Sequence, residues 1–206
     1  MDTIVLATGN KGKIRELSVL LEPFGVRVRS LAEFPEIGEI PETGDTFLEN
    51  ALIKARTVAE ATGLVAVADD SGIEVDALGG APGVYSARFA GDTCDDRANN
   101  EKMLAELRGV PDEERTGRYR CVMVAVAPSG ERIDADGSYE IRVGHDYRGS
   151  GGFGYDVIVV DPEMGCHVAE LEPEVKNRRS HRGKAMRRLL AKWPEFWARA
   201  RANALS

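Results

Sequence analysis

A short apolar run, Leu64-Val65-Ala66-Val67-Ala68, gives way at once to Asp69-Asp70-Ser71-Gly72, and this transition constrains the chain more than any other stretch. The run has the length and the small or β-branched content of a buried strand. Two carboxylates, a hydroxyl and a glycine at its carboxyl end are costly to bury without partners. In open α/β sheets, ligands sit at the carboxyl ends of strands. Asp, Ser and Gly are also common turn formers, so a turn or a helix cap accounts for the same residues. Other segments have to decide.

Thr3 to Ala7 reads as a first strand, followed by a helix through Ile14, Leu17, Leu20 and Leu21 that Gly25 stops. Val26 to Leu31 alternates as a strand does, and residues 35–45 form a Pro/Gly/Glu-rich loop. Thr46-Phe47-Leu48-Glu49 has capping-box form and opens a helix that runs to Gly63. Ile73 to Ala77 either continues the Asp69-Asp70 strand or pairs with it. Asp95 and Asp96 open a helix carrying Met103, Leu104 and Leu107. Cys121 to Ala127 is a buried strand, joined through Pro128-Ser129-Gly130 to a hairpin partner around Arg132 to Val143. A glycine loop at 149–154 precedes a strand over Val157 to Val160. The last helix carries Ala185, Met186, Leu189 and Leu190, with Pro194 kinking or restarting it before Trp197. This order predicts a mixed-sheet α/β protein, and 206 residues fit one domain, residues 1–206, with one or two lobes.

The formal net charge of −7 argues against a general nucleic-acid binder, although a local cleft can still attract an anion. Cys94, Cys121 and Cys166 are odd in number and widely spaced, which suggests neither a disulfide framework nor a zinc site. There is no signal-type leader and no apolar run long enough to span a bilayer, so a cytoplasmic protein without membrane partners is expected.

Four constellations bear chemistry. Thr8-Gly9-Asn10-Lys11-Gly12-Lys13 lies between a strand and a helix, where backbone N–H groups and the helix dipole favour an anion. It is neither a Walker A loop nor a GxGxxG fingerprint, and an ordinary β–α turn has the same composition. The acids Glu42, Asp69 and Asp70 form the second; magnesium needs only one or two carboxylates when substrate phosphates complete its shell. Successive strand side chains face opposite ways, so a continuing strand would separate Asp69 from Asp70. Glu42 by itself reads as a solvated loop residue. In the third, glycines around Phe153 in Gly151-Gly152-Phe153-Gly154-Tyr155-Asp156 clear space above a ring, as a base-stacking platform requires. Asp156 would accept from a base edge or orient a cation; a glycine-rich hairpin with Phe153 in the core fits equally. The fourth is the basic block Lys176 to Lys184, with His181 between Ser180 and Arg182. Cations are disfavoured at a helix start, so their placement there suggests an anion or electron-rich ligand, or else a solvated face.

Taken together, and with Glu42-Thr43-Gly44, Phe47, Asn50, Ala51, Lys54, Gly79-Gly80, Pro82-Gly83, Ser86-Ala87-Arg88 and Ser180-His181-Arg182-Gly183, these motifs resemble the inosine triphosphate pyrophosphatase family. The likeness runs from Leu6 to about Leu190. It implies an elongated α/β fold, two lobes about a long mixed sheet, with the nucleotide in a cleft between them. It further implies magnesium-dependent hydrolysis of dITP, ITP and XTP to the monophosphate and pyrophosphate, in cytosolic homodimers. Carried over by motif, Asp70 is catalytic and, with Glu42, metal-binding. Thr8, Gly9, Asn10, Lys11, Gly12, Lys13, Lys54 and Ser71 belong to the substrate site. Phe153, Gly154, Tyr155, Asp156, Lys176, His181 and Arg182 contact the nucleotide, largely its base.

The chain departs from the family pattern at Pro41, Val157, Arg178 and Arg179. Those two arginines would strengthen phosphate or dimer contacts, or simply be solvated. Two competing readings are a Maf-type pyrophosphatase, which lacks the Phe153 and His181 segments in this form, and a catalytically silent nucleotide-binding module.

Overall fold

A computed structural model describes residues 3–8, 14–15, 17–18 and 21–203. Seven strands form one mixed sheet: β1 (Thr3–Leu6), β2 (Arg27–Ser30), β3 (Val65–Val75), β4 (Thr116–Val126), β5 (Arg132–Val143), β6 (Val159–Asp161) and β7 (Cys166–His167). Their order is β2-β1-β3-β4-β5-β6-β7. β1 is parallel to both β2 and β3, whereas β6 is antiparallel to β5 and β7. The helices described over their whole length are α1 (Phe47–Thr62), α2 (Asp96–Glu106), α3 (Pro173–Arg179) and α4 (His181–Asn203).

Local sequence chemistry explains most boundaries. Thr46 accepts from the Glu49 N–H while the Glu49 carboxylate accepts from the Thr46 N–H, which is the expected capping box of α1. Gly63 closes the helix at φ +65°, a left-handed position that glycine fills without steric cost. The Asp95 carboxylate caps α2 by accepting from the N–H groups of Arg97 and Ala98. Ser180 caps α4, its hydroxyl accepting from the Gly183 N–H at 3.0 Å. The described residues between 14 and 21 are helical, with Leu17 and Leu21 fully buried; Leu20 lies outside the described residues.

Three expectations are sharpened or corrected. Of the two alternatives for Ile73 onward, continuation is the one found: the strand runs past Ala68 through Asp69, Asp70 and Ser71 to Val75, so those acids sit inside a strand rather than at its carboxyl end. β3 lies between β1 and β4 in the sheet, and the Ser86 hydroxyl accepts from the Ile73 N–H at 2.8 Å. Second, Pro194 does not restart the helix: α4 continues through it, with the side chains of Leu189, Trp193 and Phe196 buried on either side. Third, the strand expected over Val157 to Val160 starts later, because residues 154–157 form a 3-10 turn.

The chain divides into two compact units. The first comprises residues 1–70, 122–136 and 185–206, and the second residues 71–121 and 137–184. In the first, Ile4, Val5 and Leu6 of β1, Ala51, Ala55, Val58 and Ala59 of α1, and Leu189, Trp193 and Phe196 of α4 are buried. In the second, Ile73, Val75, Met103, Leu107, Tyr119, Tyr139, Ile141, Tyr155 and Ile158 make a continuous core. β5 buries every second residue from Ile133 to Val143, as a half-buried strand does.

Candidate active site

In the first unit, Asp70 is the centre of a polar cluster. It is buried, with 8% of its surface exposed, on β3. The Asn50 amide donates to its Oδ2 at 3.3 Å, and the Lys54 ammonium lies 3.3 Å from Oδ1. Lys54 also pairs with Glu42 Oε1 at 2.7 Å. Helical spacing places Asn50 and Lys54 one turn apart on the same side of α1, which is why both reach one carboxylate. The Asn50 carbonyl is spent on the Gly44 N–H at 2.8 Å, fixing the amide's orientation and anchoring the loop that carries Glu42. Asp69, also buried, precedes Asp70 on the strand.

The electrostatics follow from burial and this single lysine. Burial is the largest influence on Asp70 and lifts its pKa above the ordinary carboxylate range, while Lys54 pulls the other way. Burial also works against the Lys54 ammonium, but Asp70 and Glu42 outweigh it and leave that pKa raised. Glu42 is therefore an ion-pair partner and not merely a solvated loop residue. Among the described residues no group of three His, Cys, Asp or Glu side chains is placed to hold a metal unaided.

The second unit carries an aromatic platform. Phe153 is 64% exposed rather than in the core, with Lys176 Nζ 5.1 Å and Arg182 Cζ 5.8 Å from its ring centroid. Asp156, nearly fully buried, holds this loop: Oδ2 accepts from the Phe153 N–H at 2.9 Å and Lys176 Nζ at 2.6 Å. Its Oδ1 accepts from the Tyr119 hydroxyl at 3.1 Å. Asp156 thus orients a cation, one of the two roles expected of it. Gly152, at φ +79°, has no room for a side chain: a Cβ would lie 2.2 Å from Asp156 Oδ2. Gly154 is gripped by α2, its N–H donating to Asp96 and its carbonyl accepting from Asn100, each at 3.0 Å.

The other expected site residues fall as follows. The Tyr155 side chain is turned into the core, its hydroxyl donating to the Ser86 carbonyl at 2.8 Å. Ser71 is half-buried, and its hydroxyl makes a long contact of 3.4 Å with Arg182. The His181 ring stacks on Tyr119 with centroids 5.0 Å apart. Thr8 follows β1, and its carbonyl accepts from the Ser30 hydroxyl at 3.2 Å. Gly9, Asn10, Lys11, Gly12 and Lys13 lie outside the described residues.

The basic block is not a single helix start. Lys176, Arg178 and Arg179 occupy the last turn of α3, where the helix dipole favours cations, and only His181, Arg182 and Lys184 open α4. Arg179 is not simply solvated: it pairs with fully buried Asp161 at 2.6 Å and with Glu163 at 2.7 Å. Sequence reasoning also passed over Tyr119, Asp96 and Asn100 as parts of this cluster and left Asn50 without a stated role. Only Asn50 stood within a quoted motif.

A buried acid–lysine–acid centre and an aromatic platform flanked by cations are the equipment of an α/β nucleotide-handling enzyme. The Ham1 family model matches residues 4–192, and the chain belongs to the Ham1 family. A dITP/XTP pyrophosphatase of Nitratidesulfovibrio vulgaris is 57% identical over 201 residues, covering 95% of this chain and 97% of the relative. Another from Desulforamulus reducens is 53% identical over 187 residues, covering 91% and 93%. Among solved structures, a HAM1 protein from Coxiella burnetii superposes with a TM-score of 0.89 at 39% identity, covering 95% of this chain and all of that one. A nucleoside-triphosphatase / dITP/XTP pyrophosphatase from Mycobacterium abscessus gives 0.79 at 44% identity, covering 91% and 97%.

Proposed function

We propose that this chain hydrolyses the non-standard purine nucleotides dITP, ITP and XTP at the α-phosphorus, releasing the monophosphate and pyrophosphate. The observation that carries the reading is the buried Asp70 carboxylate, held between the Asn50 amide and the Lys54 ammonium. Such a group either helps to hold a metal or takes the proton of an attacking water. Lys54, with Lys13 and the rest of the Thr8–Lys13 segment, binds the triphosphate and offsets charge on the departing pyrophosphate.

Magnesium fits the donor set. Asp70 and Glu42 offer carboxylate oxygens, both beside Lys54, that would serve as ligands, and magnesium held largely by substrate phosphates needs no third carboxylate. When bound, the ion would polarise the phosphoryl oxygens and neutralise the leaving group.

In the second unit, Phe153 serves as the stacking face for the purine, with Lys176 and Arg182 against its ring and His181 stacked on neighbouring Tyr119. Donors from His181 and Arg182 favour a 6-keto base. Adenine presents an amino group there and would leave those donors unpaired. The chain works as one catalytic domain, as a homodimer and in the cytoplasm; no helix among the described residues is long and apolar enough to cross a membrane.

The test is magnesium-dependent release of pyrophosphate, rather than orthophosphate, from a panel of ITP, XTP, GTP, ATP and UTP. A preference for ITP or XTP supports the reading, and its absence defeats it. Size-exclusion chromatography with light scattering tests the dimer.

A further inference from the structure

We propose that Tyr119 is a positioning residue for base recognition, tying His181 to the Phe153 loop through Asp156. The inference rests on the reading of the Phe153 cluster as the base site. Tyr119 lies on β4 and is buried, with 8% of its surface exposed. Its ring stacks on the His181 imidazole with centroids 5.0 Å apart and planes inclined by 19°. Its hydroxyl donates to Asp156 Oδ1 at 3.1 Å. The other oxygen of that carboxylate takes Lys176 at 2.6 Å and the Phe153 N–H at 2.9 Å. One phenol therefore restrains groups on two separate segments, the ring one and the hydroxyl the other.

The hydroxyl is separable from the packing. A phenylalanine fills nearly the same volume and keeps the stack, so the core itself does not require an oxygen there. Burying a hydroxyl is unfavourable unless it is hydrogen-bonded, and this one is spent on Asp156. Without it, one face of a buried carboxylate loses its donor, and the carboxylate is freer to turn away from Lys176 and Phe153.

The neighbouring tyrosine supplies an internal control. Tyr139 lies 6.4 Å from Tyr119, centroid to centroid, and its hydroxyl donates to Asp161 at 2.7 Å. Asp161 in turn holds Arg179. Two tyrosine–aspartate–cation chains thus pin α3, through Lys176 and through Arg179. It is the Tyr119 chain whose ring stacks on His181 and whose carboxylate holds the Phe153 N–H.

The experiment compares Tyr119→Phe with Tyr139→Phe in the full chain. Tyr119→Phe should raise KM for ITP by about 3- to 10-fold, the range of one lost hydrogen bond, with kcat changed by less than about 2-fold. Inhibition by inorganic tripolyphosphate, which has no base, should be unchanged. Tyr139→Phe should lower Tm at least as much while leaving KM for ITP within about 2-fold of wild type. Equal KM effects in both variants, or a loss of Tm without a KM effect in Tyr119→Phe, would overturn the proposal. Weakened tripolyphosphate inhibition in Tyr119→Phe would overturn it too. Failure of the wild-type protein to hydrolyse ITP would instead defeat the reading of the base site itself.

Discussion

Arg179 grips Asp161 at two points, Nε lying 2.6 Å from Oδ2 and Nη2 3.2 Å from Oδ1. The carboxylate also accepts from the Tyr139 hydroxyl and from the N–H groups of Glu163 and Met164, so a fully buried charge has its lone pairs filled. This joins the end of α3 to β6 and sets where α3 stops and Ser180 begins the next helix.

Burial alone would raise the Asp161 pKa, but these donors outweigh it and hold the group below the ordinary carboxylate value. In the folded state it therefore binds protons less readily than in the unfolded chain. The stability it contributes is present above a pH of about 4 and is lost as pH falls through the lower folded value. Asp161→Asn should cost about 3 kcal/mol at neutral pH. In denaturant titrations the gap between wild type and variant should narrow below about pH 4.

Asp70→Asn keeps the shape of the side chain and removes its negative charge. Pyrophosphate release from ITP should fall by about 10²- to 10⁴-fold, while calorimetry still detects nucleotide binding. Near-wild-type turnover would move the chemistry elsewhere, with Asp69 the first place to look.

Burial raises the Asp70 pKa while Lys54 draws it down. In the metal-free protein, the Asp70 carboxyl carbon followed by NMR should therefore titrate above the pH at which a free carboxylate does. Lys54→Met removes the opposing cation, so the titration should move further toward neutrality in that variant. A titration unmoved by Lys54→Met would show that Lys54 does not act on this carboxylate.

Gly152→Ala places a methyl group against the Asp156 carboxylate and forces alanine into a positive-φ conformation. The expected cost is about 1–3 kcal/mol, with a raised KM for ITP, because Asp156 and Lys176 must move apart. Thermal denaturation and steady-state kinetics on the same variant measure both effects.

Phe153→Ala should separate the platform from the fold. The ring is largely exposed, so Tm should change little. Base–aromatic stacking is worth about 1–3 kcal/mol, which corresponds to a KM at least several-fold higher with kcat nearly unchanged.

Short-range chemistry made the helices legible. The Thr46–Glu49 box, the Gly63 stop and the Asp95 cap act within a few residues, and each lies where the pattern places it. The extent of β3 was left open by the sequence between a continuing and a pairing segment, because what carries it past Ala68 is its place in the sheet beside distant β4, with the Ser86 hydroxyl taking the Ile73 N–H. The same distinction holds for the site. Lys54, Asp70 and Phe153 stood out as chemical types in recognisable motifs. Tyr119 sits in a strand like any core aromatic, and only the fold brings its hydroxyl to Asp156. Arg179 read as a surface charge because Asp161, its partner, lies 18 residues earlier in a different element.

The wet face of Phe153 has a thermodynamic consequence. A ring that stands in water carries an ordered hydration shell, and any flat ligand that covers it returns that water to bulk. Nucleotide binding should accordingly show a negative heat-capacity change, and one that shrinks when the ring is absent. The enthalpy of association would then grow more favourable with rising temperature, so a calorimeter run at several temperatures reads directly how much of this one side chain the ligand hides.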